Sequence, residues 1–402
     1  MAKSAAARAT IGTNQHGLAP DKLLRLKEVI TEDVKHGRYF GAVILVARHG
    51  VIGIHEAIGY NNPDEKRPLA KDAVFTILST TKAITNILVF RAIERGYFAL
   101  TTRVAEVIPE FSGGLREKIT FFHLLTHSSG LPSVFLSSPG MYIDKLDEVI
   151  ADICAKLQCV VEPGTLVTYA PMAGHALMGE AVRRVDPKKR SYRQMVEQDI
   201  LIPLKMKDTS VGLRKDLRKR KVVPVFMDEN LLDPDGNPIQ HLGHSNLGPN
   251  GAFEEENAEM PWVGCVSTAA DLFRFAEMLR RGGELDGARI VSPAMVDKAM
   301  RNWTGDKPNE LFKMWISQVG WEPSPAYIGL GFPTRGELIC HHHFGTLTSP
   351  RTFGAMGAGC SVFWVDPERD MAFVCLGAGV MREPDSIERF QRLSDIAVSA
   401  AY

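Results

Sequence analysis

The sequence predicts an α/β protein of the α+β kind: one antiparallel sheet made from both ends of the chain, flanked by terminal helices and interrupted by a mostly helical region. Three observations predict it. Each end carries a pair of β-rich runs around a turn, each end carries an amphipathic helical stretch, and the middle reads in helical periods.

At the N-terminal end, DKLLRLKEVITEDVKH (residues 21–36) sets Leu23, Leu24, Leu26, Val29, Ile30 and Val34 near helical spacing. GAVILVARHGVIGIHEAIGY follows, two β-rich runs around His49-Gly50. At the other end, GCSVFWVDPERDMAFVCLGAG places two apolar runs around Asp366-Pro367-Glu368-Arg369-Asp370, and an amphipathic tail runs from Glu383 to Ala401. From Ser79 to about Asp271 helical patterns dominate, broken by turn signals at Ser112-Gly113-Gly114, Ser129-Gly130-Leu131-Pro132 and Glu162-Pro163-Gly164. The stretch from Val222 to Pro261, rich in Asp, Asn, Pro and Gly, reads as a long irregular excursion of the sort that forms lids or walls.

Composition narrows the function. The 402 residues are 45% hydrophobic and 23% charged, enough for a substantial core. Forty-seven basic residues balance 47 acidic ones, so no net field draws the chain to nucleic acid or an anionic membrane, and a small, weakly charged partner fits better. No segment approaches the roughly 20 apolar residues of a membrane span, and MAKSAAARATIGTNQHG lacks the apolar core of a signal peptide, so a cytoplasmic location is expected. The six cysteines form no CxxC pair, which points to reduced thiols rather than a disulfide framework or a zinc site.

The chemistry begins at FTILSTTKAITNILVF, residues 75–90. Ser79 and Lys82 stand one helical turn apart, so an amine reaches a hydroxyl if a helix starts there. A serine needs a base to become a nucleophile, and a lysine in apolar surroundings loses enough basicity to serve. On this motif alone, Ser79 as a helix cap and Lys82 as a solvated first-turn residue is the favoured reading, because chance S-x-x-K matches are common in a chain this long. The apolar residues on both sides leave Lys82 little exposed helix face, and burial without a function would be costly.

A second run, TFFHLLTHSSGLP (residues 120–132), follows. Together with FTILSTTKA it resembles the serine β-lactamase, penicillin-binding protein and esterase superfamily, where an ITIRHLLTHTSGL segment follows the S-x-x-K helix. There the segment is structural, and this resemblance outweighs a metal reading of His123 and His127 at i and i+4, which lacks a third ligand. EPGTLVTYAPMAG (162–174) is similar to the family's PGxxxxYSNxxYxLLG element. It places Tyr169 on the proton-shuttling tyrosine, while Pro171 stands where the family has an asparagine amide. MPWVGCVSTAADLFRF (260–275) looks like GGLxSTAxDLARF, a scaffold element in which Ser267 or Thr268 caps a helix with Asp271 in its first turn.

Two further stretches bear on the cleft. Tyr327 to Phe332 matches a YGLGF strand, and Ala355-Met356-Gly357 falls on the family's K-T-G or H-x-G triad without its cation or imidazole. The resemblance implies that the backbone N–H of Ala358 joins that of Ser79 as an oxyanion donor, with nearby glycines permitting close approach. Cys340, His341, His342 and His343 suggest a metal cluster, but on a strand at most two consecutive imidazoles share a face, and a loop lining the cleft is the favoured reading.

The resemblance spans roughly residues 20–400 and implies a β-lactamase/transpeptidase-like fold with its active site in the cleft between two parts. A flexible N-terminus (1–20) would precede a catalytic unit (21–402) whose α/β part takes about 21–78 and 272–402 and whose helical part takes about 79–271. Its implied activity is that of a cofactor-free serine hydrolase with catalytic Ser79, Lys82, Tyr169 and Ala358, acting on a small-molecule or short-peptide amide or ester. The missing Asn and the missing Lys or His disfavour an efficient β-lactamase. A carboxylesterase, an acyltransferase of the same fold, or a non-catalytic ligand-binding relative stay open.

Overall fold

The computed structural model describes residues 17–61, 66–138, 141–222, 224–227 and 251–402. Of the N-terminal stretch expected to be flexible (1–20), residues 1–16 lie outside the described residues, as does most of the irregular excursion, residues 228–250. Leu18, by contrast, is buried and Pro20 starts a helix.

Helix α1 (Pro20–Lys35) starts on a proline, whose missing N–H costs nothing at that position, and carries Asp21 in its first turn and Lys35 in its last. It buries Leu23, Leu26, Val29 and Ile30. Strands β1 (Gly41–Arg48) and β2 (Val51–Gly59) form the expected hairpin. Its turn needs two left-handed residues, and His49 (φ 54°) and Gly50 (φ 77°) supply them.

Helix α2 (Thr81–Glu94) and helix α3 (Ala173–Val185) pack together in the helical region, and α4 (Ala269–Arg280) returns the chain to the sheet. After α5 (Glu310–Ser317) come strands β3 (Phe353–Gly357), β4 (Ser361–Asp366) and β5 (Met371–Ala378), and helix α6 (Glu383–Ser399) closes the fold. The five strands pair in the order β2-β1-β5-β4-β3, each pair antiparallel, so the two chain ends meet at β1 and β5. Leu18, fully buried, bridges to Ala401 beside them.

Period-two alternation builds the layers. From β1, Ala42, Ile44 and Val46 face α1 and α6, packing with Leu26, Ile30, Phe390 and Leu393. Val43, Leu45 and Ala47 face the other way, into the larger core of α4 and the helical region. Burying each valine, leucine or isoleucine among these contributes roughly 1.5–3 kcal/mol. Helix α2 is buried on nearly every side, with Thr81, Lys82, Thr85 and Asn86 inside along with its apolar residues. A helix covered all round belongs to the core, and its polar residues must find partners there.

A small second sheet pairs Phe75–Thr76 and Ser210–Val211 with Cys265–Ser267. It locks the turn before α2: Ile77 N–H donates to Cys265 O at 3.1 Å, and Cys265 N–H donates to Thr81 Oγ1 at 3.0 Å. One sequence expectation fails. Tyr327 to Phe332 is not a strand; Ile328 makes only a bridge to Pro333, and Tyr327 takes a left-handed φ of 45°. Its glycines serve approach instead, Gly331 accepting from Asn86 Nδ2 at 2.8 Å and donating to Leu125 O.

Candidate active site

The cleft opens where the start of α2 meets the end of β3. Leu78, buried and β-unbranched but not glycine, holds φ at 47°, a strained setting that the surrounding core enforces just before Ser79. Ser79 lies in a single 3-10 turn (Leu78–Thr80) that leads into α2. β3 presses on this turn at Gly357: a Cβ there would stand 2.4 Å from Ile77 O and 3.1 Å from Ser79 N, so only glycine fits. Ser361 fixes the same turn from β4, its hydroxyl donating to Ile77 O at 2.8 Å.

Lys82 is 5% exposed, with Nζ 2.9 Å from Ser79 Oγ and 3.0 Å from Trp262 O. No ion pair to it exists among the described residues, and burial alone pushes its ammonium well below the usual lysine range. The solvated first-turn reading is therefore excluded. Tyr169 reaches in from the other side, its hydroxyl donating to Ser79 Oγ at 2.7 Å. Burial pushes this phenol above its ordinary value; the Ser79 hydrogen bond opposes that shift and the Glu383 carboxylate adds to it.

The wall around this trio mixes residues that the sequence points to with others that it hides. His127 lines the cleft with its ring 5.0 Å from that of Tyr169, and burial, with Lys82 nearby, lowers its imidazole to about 3, which keeps it neutral. His123 does not join it: Thr120 N–H donates to its Nδ1 at 3.2 Å as part of a helix cap. The i, i+4 relation is broken because the helix ends at Leu125 and His127 turns left-handed at φ 51°. Pro171 is not among the residues lining the cleft; beside Tyr169 stands Asn309, whose Oδ1 accepts from Tyr169 N–H and Leu311 N–H, both at 3.2 Å. Ala355, Met356 and Ala358 line the β3 side, so the triad position contributes shape and backbone but no charge.

All three consecutive histidines line the cleft on an irregular segment, as the favoured loop reading expected, and the limit of two to a face, which belongs to a strand, does not apply. His341 stacks on Trp321 with ring centroids 3.7 Å apart. His342, driven well below its ordinary value by burial, accepts from Phe344 N–H, and His343 Nε2 lies 3.0 Å from Glu383. Among the described residues no group of three or more His, Cys, Asp or Glu is placed to hold a metal ion. Phe135, Phe312, Trp315, Ile316 and Ile328 make the rest of the wall apolar. The cleft, partly open to solvent, holds about 200 Å³, room for the groups on either side of one scissile bond, with the rest of a longer substrate outside it.

Sequence reasoning missed Asn309, Phe312, Trp315 and Glu383. Asn309 was detectable as a cap before the apolar run of α5. Glu383 carried no signal, since a glutamate in a first helical turn is ordinary.

The comparisons agree with this architecture. The protein-family model described as Beta-lactamase matches residues 26–397. Esterase EstB of Burkholderia gladioli is 37% identical over 299 residues, 68% of this chain and 74% of EstB. A penicillin-binding protein homologue from Caulobacter crescentus superposes with a TM-score of 0.71 at 23% identity, over 96% of this chain and 99% of that one. A family VIII carboxylesterase gives 0.73 at 21% identity, again over 96% and 99%. Similarity at this level to solved structures speaks for the fold, while the family match over nearly the whole length says more: this chain belongs to the beta-lactamase family of serine hydrolases and their penicillin-binding and esterase relatives.

Proposed function

We propose that the protein is a serine hydrolase that cleaves a small amide or ester through an acyl-enzyme on Ser79. The observation that carries the reading is the convergence of Lys82 Nζ (2.9 Å) and the Tyr169 hydroxyl (2.7 Å) on one serine oxygen, inside a cleft. Burial favours the neutral amine of Lys82, so Lys82 is the base that takes the Ser79 proton as Oγ attacks the carbonyl carbon. Burial favours the protonated phenol of Tyr169, so Tyr169 gives its proton to the leaving nitrogen or oxygen and is reprotonated through Lys82. The backbone N–H groups of Ser79 and Ala358 receive the oxyanion. Water, activated by the same pair, then releases the acyl group.

Within that class we assign the substrate as a short linear peptide, with linearised microcystin as the specific candidate. An apolar cleft with an uncharged triad suits this better than a lactam bearing a carboxylate. A carboxylesterase is the second reading, favoured by the likeness to EstB. Intact-mass spectrometry with a fluorophosphonate, and turnover of esters, linear peptides including linearised microcystin, and a penicillin, tests both. Labelling that vanishes in Ser79→Ala supports the nucleophile, and the panel member turned over decides between peptidase and esterase. Wild-type turnover by Ser79→Ala would remove the mechanism.

A further inference from the structure

Resting on the hydrolase reading above, we infer that Glu383 forms a subsite for a cationic nitrogen, so that the preferred substrate is a short apolar peptide held by its free N-terminal ammonium group. Glu383 is the only carboxylate among the described residues lining the cleft. Its side chain is 15% exposed, and one oxygen lies 3.0 Å from His343 Nε2. No described side chain other than His343 pairs with this carboxylate, and its other oxygen is not among the buried atoms left without a partner, so it stays open to the solvent in the cleft. A mostly buried carboxylate with one oxygen open toward the cleft, set in a mainly apolar wall, is a ready acceptor for an incoming cationic donor.

The rest of the cleft offers nothing that competes. Lys82 is biased to its neutral form, and Lys313, at the rim and 45% exposed, is already 3.4 Å from Glu310. Ala355-Met356-Gly357 brings no cation to the β3 side. The cleft therefore repels a carboxylate near Glu383 and attracts an ammonium. Phe312 and Trp315 provide the apolar surface that would cover the side chain attached to it.

Binding separates this inference from the chemistry. Calorimetry on Ser79→Ala, which cannot turn substrate over under the hydrolase reading, would compare phenylalanyl-phenylalaninamide with its N-acetyl and N-succinyl forms. The free amine should bind about tenfold tighter than the acetyl form, the scale of one charge-assisted hydrogen bond, and the succinyl form weakest. Adding Glu383→Gln should bring the free amine and acetyl forms within about twofold, and Glu383→Lys should make the succinyl form the preferred one. Each variant is first checked by circular dichroism and thermal melting, and the ratio between ligands divides out any general weakening. Equal binding of the three peptides, binding of none, or a preference that survives Glu383→Gln would overturn the subsite. Fluorophosphonate labelling of Ser79 reads the nucleophile independently, so labelling without a charge preference removes only this inference. A charge preference without labelling removes only the hydrolase.

Discussion

The two sides of the cleft were built in opposite ways. The nucleophile side, Ser79 with Lys82, is one turn of one helix, and its geometry follows from a spacing of three residues. The wall opposite gathers Asn309 from the start of α5, His343 from an irregular stretch and Glu383 from the start of α6, segments that no local pattern connects. On the proposed reading, the nucleophile and its base are encoded locally, whereas the selection of substrate is encoded by packing. A change on the first side should abolish turnover, whereas a change on the second should redirect it.

The largest effect tests that division directly. Ser79→Ala and Lys82→Met should each lower kcat/KM by at least ~10⁴-fold with little change in peptide affinity, because groups acting as a unit fail together. Steady-state kinetics alongside calorimetry would check this, and a loss confined to KM would break the comparison. Tyr169→Phe should cost ~10²–10⁴-fold in kcat, the range of a lost general acid, and the cost should shrink for esters with good leaving groups, which need no proton.

The pH profile sharpens the same contrast. Lys82 works as the neutral amine, so the rate should rise with pH through its lowered pKa and reach its plateau well below the ordinary lysine value. Tyr169 works as the protonated phenol, so the rate should fall only above the ordinary phenol value of about 10. The alkaline limb should disappear in Tyr169→Phe. A profile still climbing at pH 10 would mean that Lys82 is not the base.

On the selecting side, Asn309→Ala should weaken the hold on the Tyr169 backbone and raise KM by about tenfold while sparing the acylation of Ser79 by a fluorophosphonate. The smallest effect is expected at Pro171→Asn. Restoring the family's residue at a position outside the cleft lining should change kcat/KM by less than about twofold for any panel substrate.

Where reading from sequence succeeded or failed follows from the range of the interaction concerned. The hairpins at 41–59 and 361–378 and the two terminal helices were legible because alternation and helical periods are local. His123 and His127 looked like a pair because spacing assumes that a helix continues, and here it stops at Leu125. The strand expected at Tyr327–Phe332 failed because glycines placed for close approach, Gly331 to Asn86 and Gly329 to the Ala299 backbone, look the same, in sequence, as glycines in a strand.

By itself the sequence determined the layered α/β plan, the serine and lysine one turn apart that we propose as nucleophile and base, and the tyrosine carried by a family motif. Only the tertiary structure decided the state of these groups and the company they keep. Burial beside Trp262 O without a carboxylate moves Lys82 toward its neutral amine, the form the proposed base needs, and the strained Leu78 is held by core packed from several segments. The contact of Asn309 with the Tyr169 backbone, across 140 residues of chain, is likewise decided only by the fold. Periodicity reports which face of an element is apolar, but desolvation, strain and convergence are sums over neighbours distant in the chain, and they exist only once it has folded.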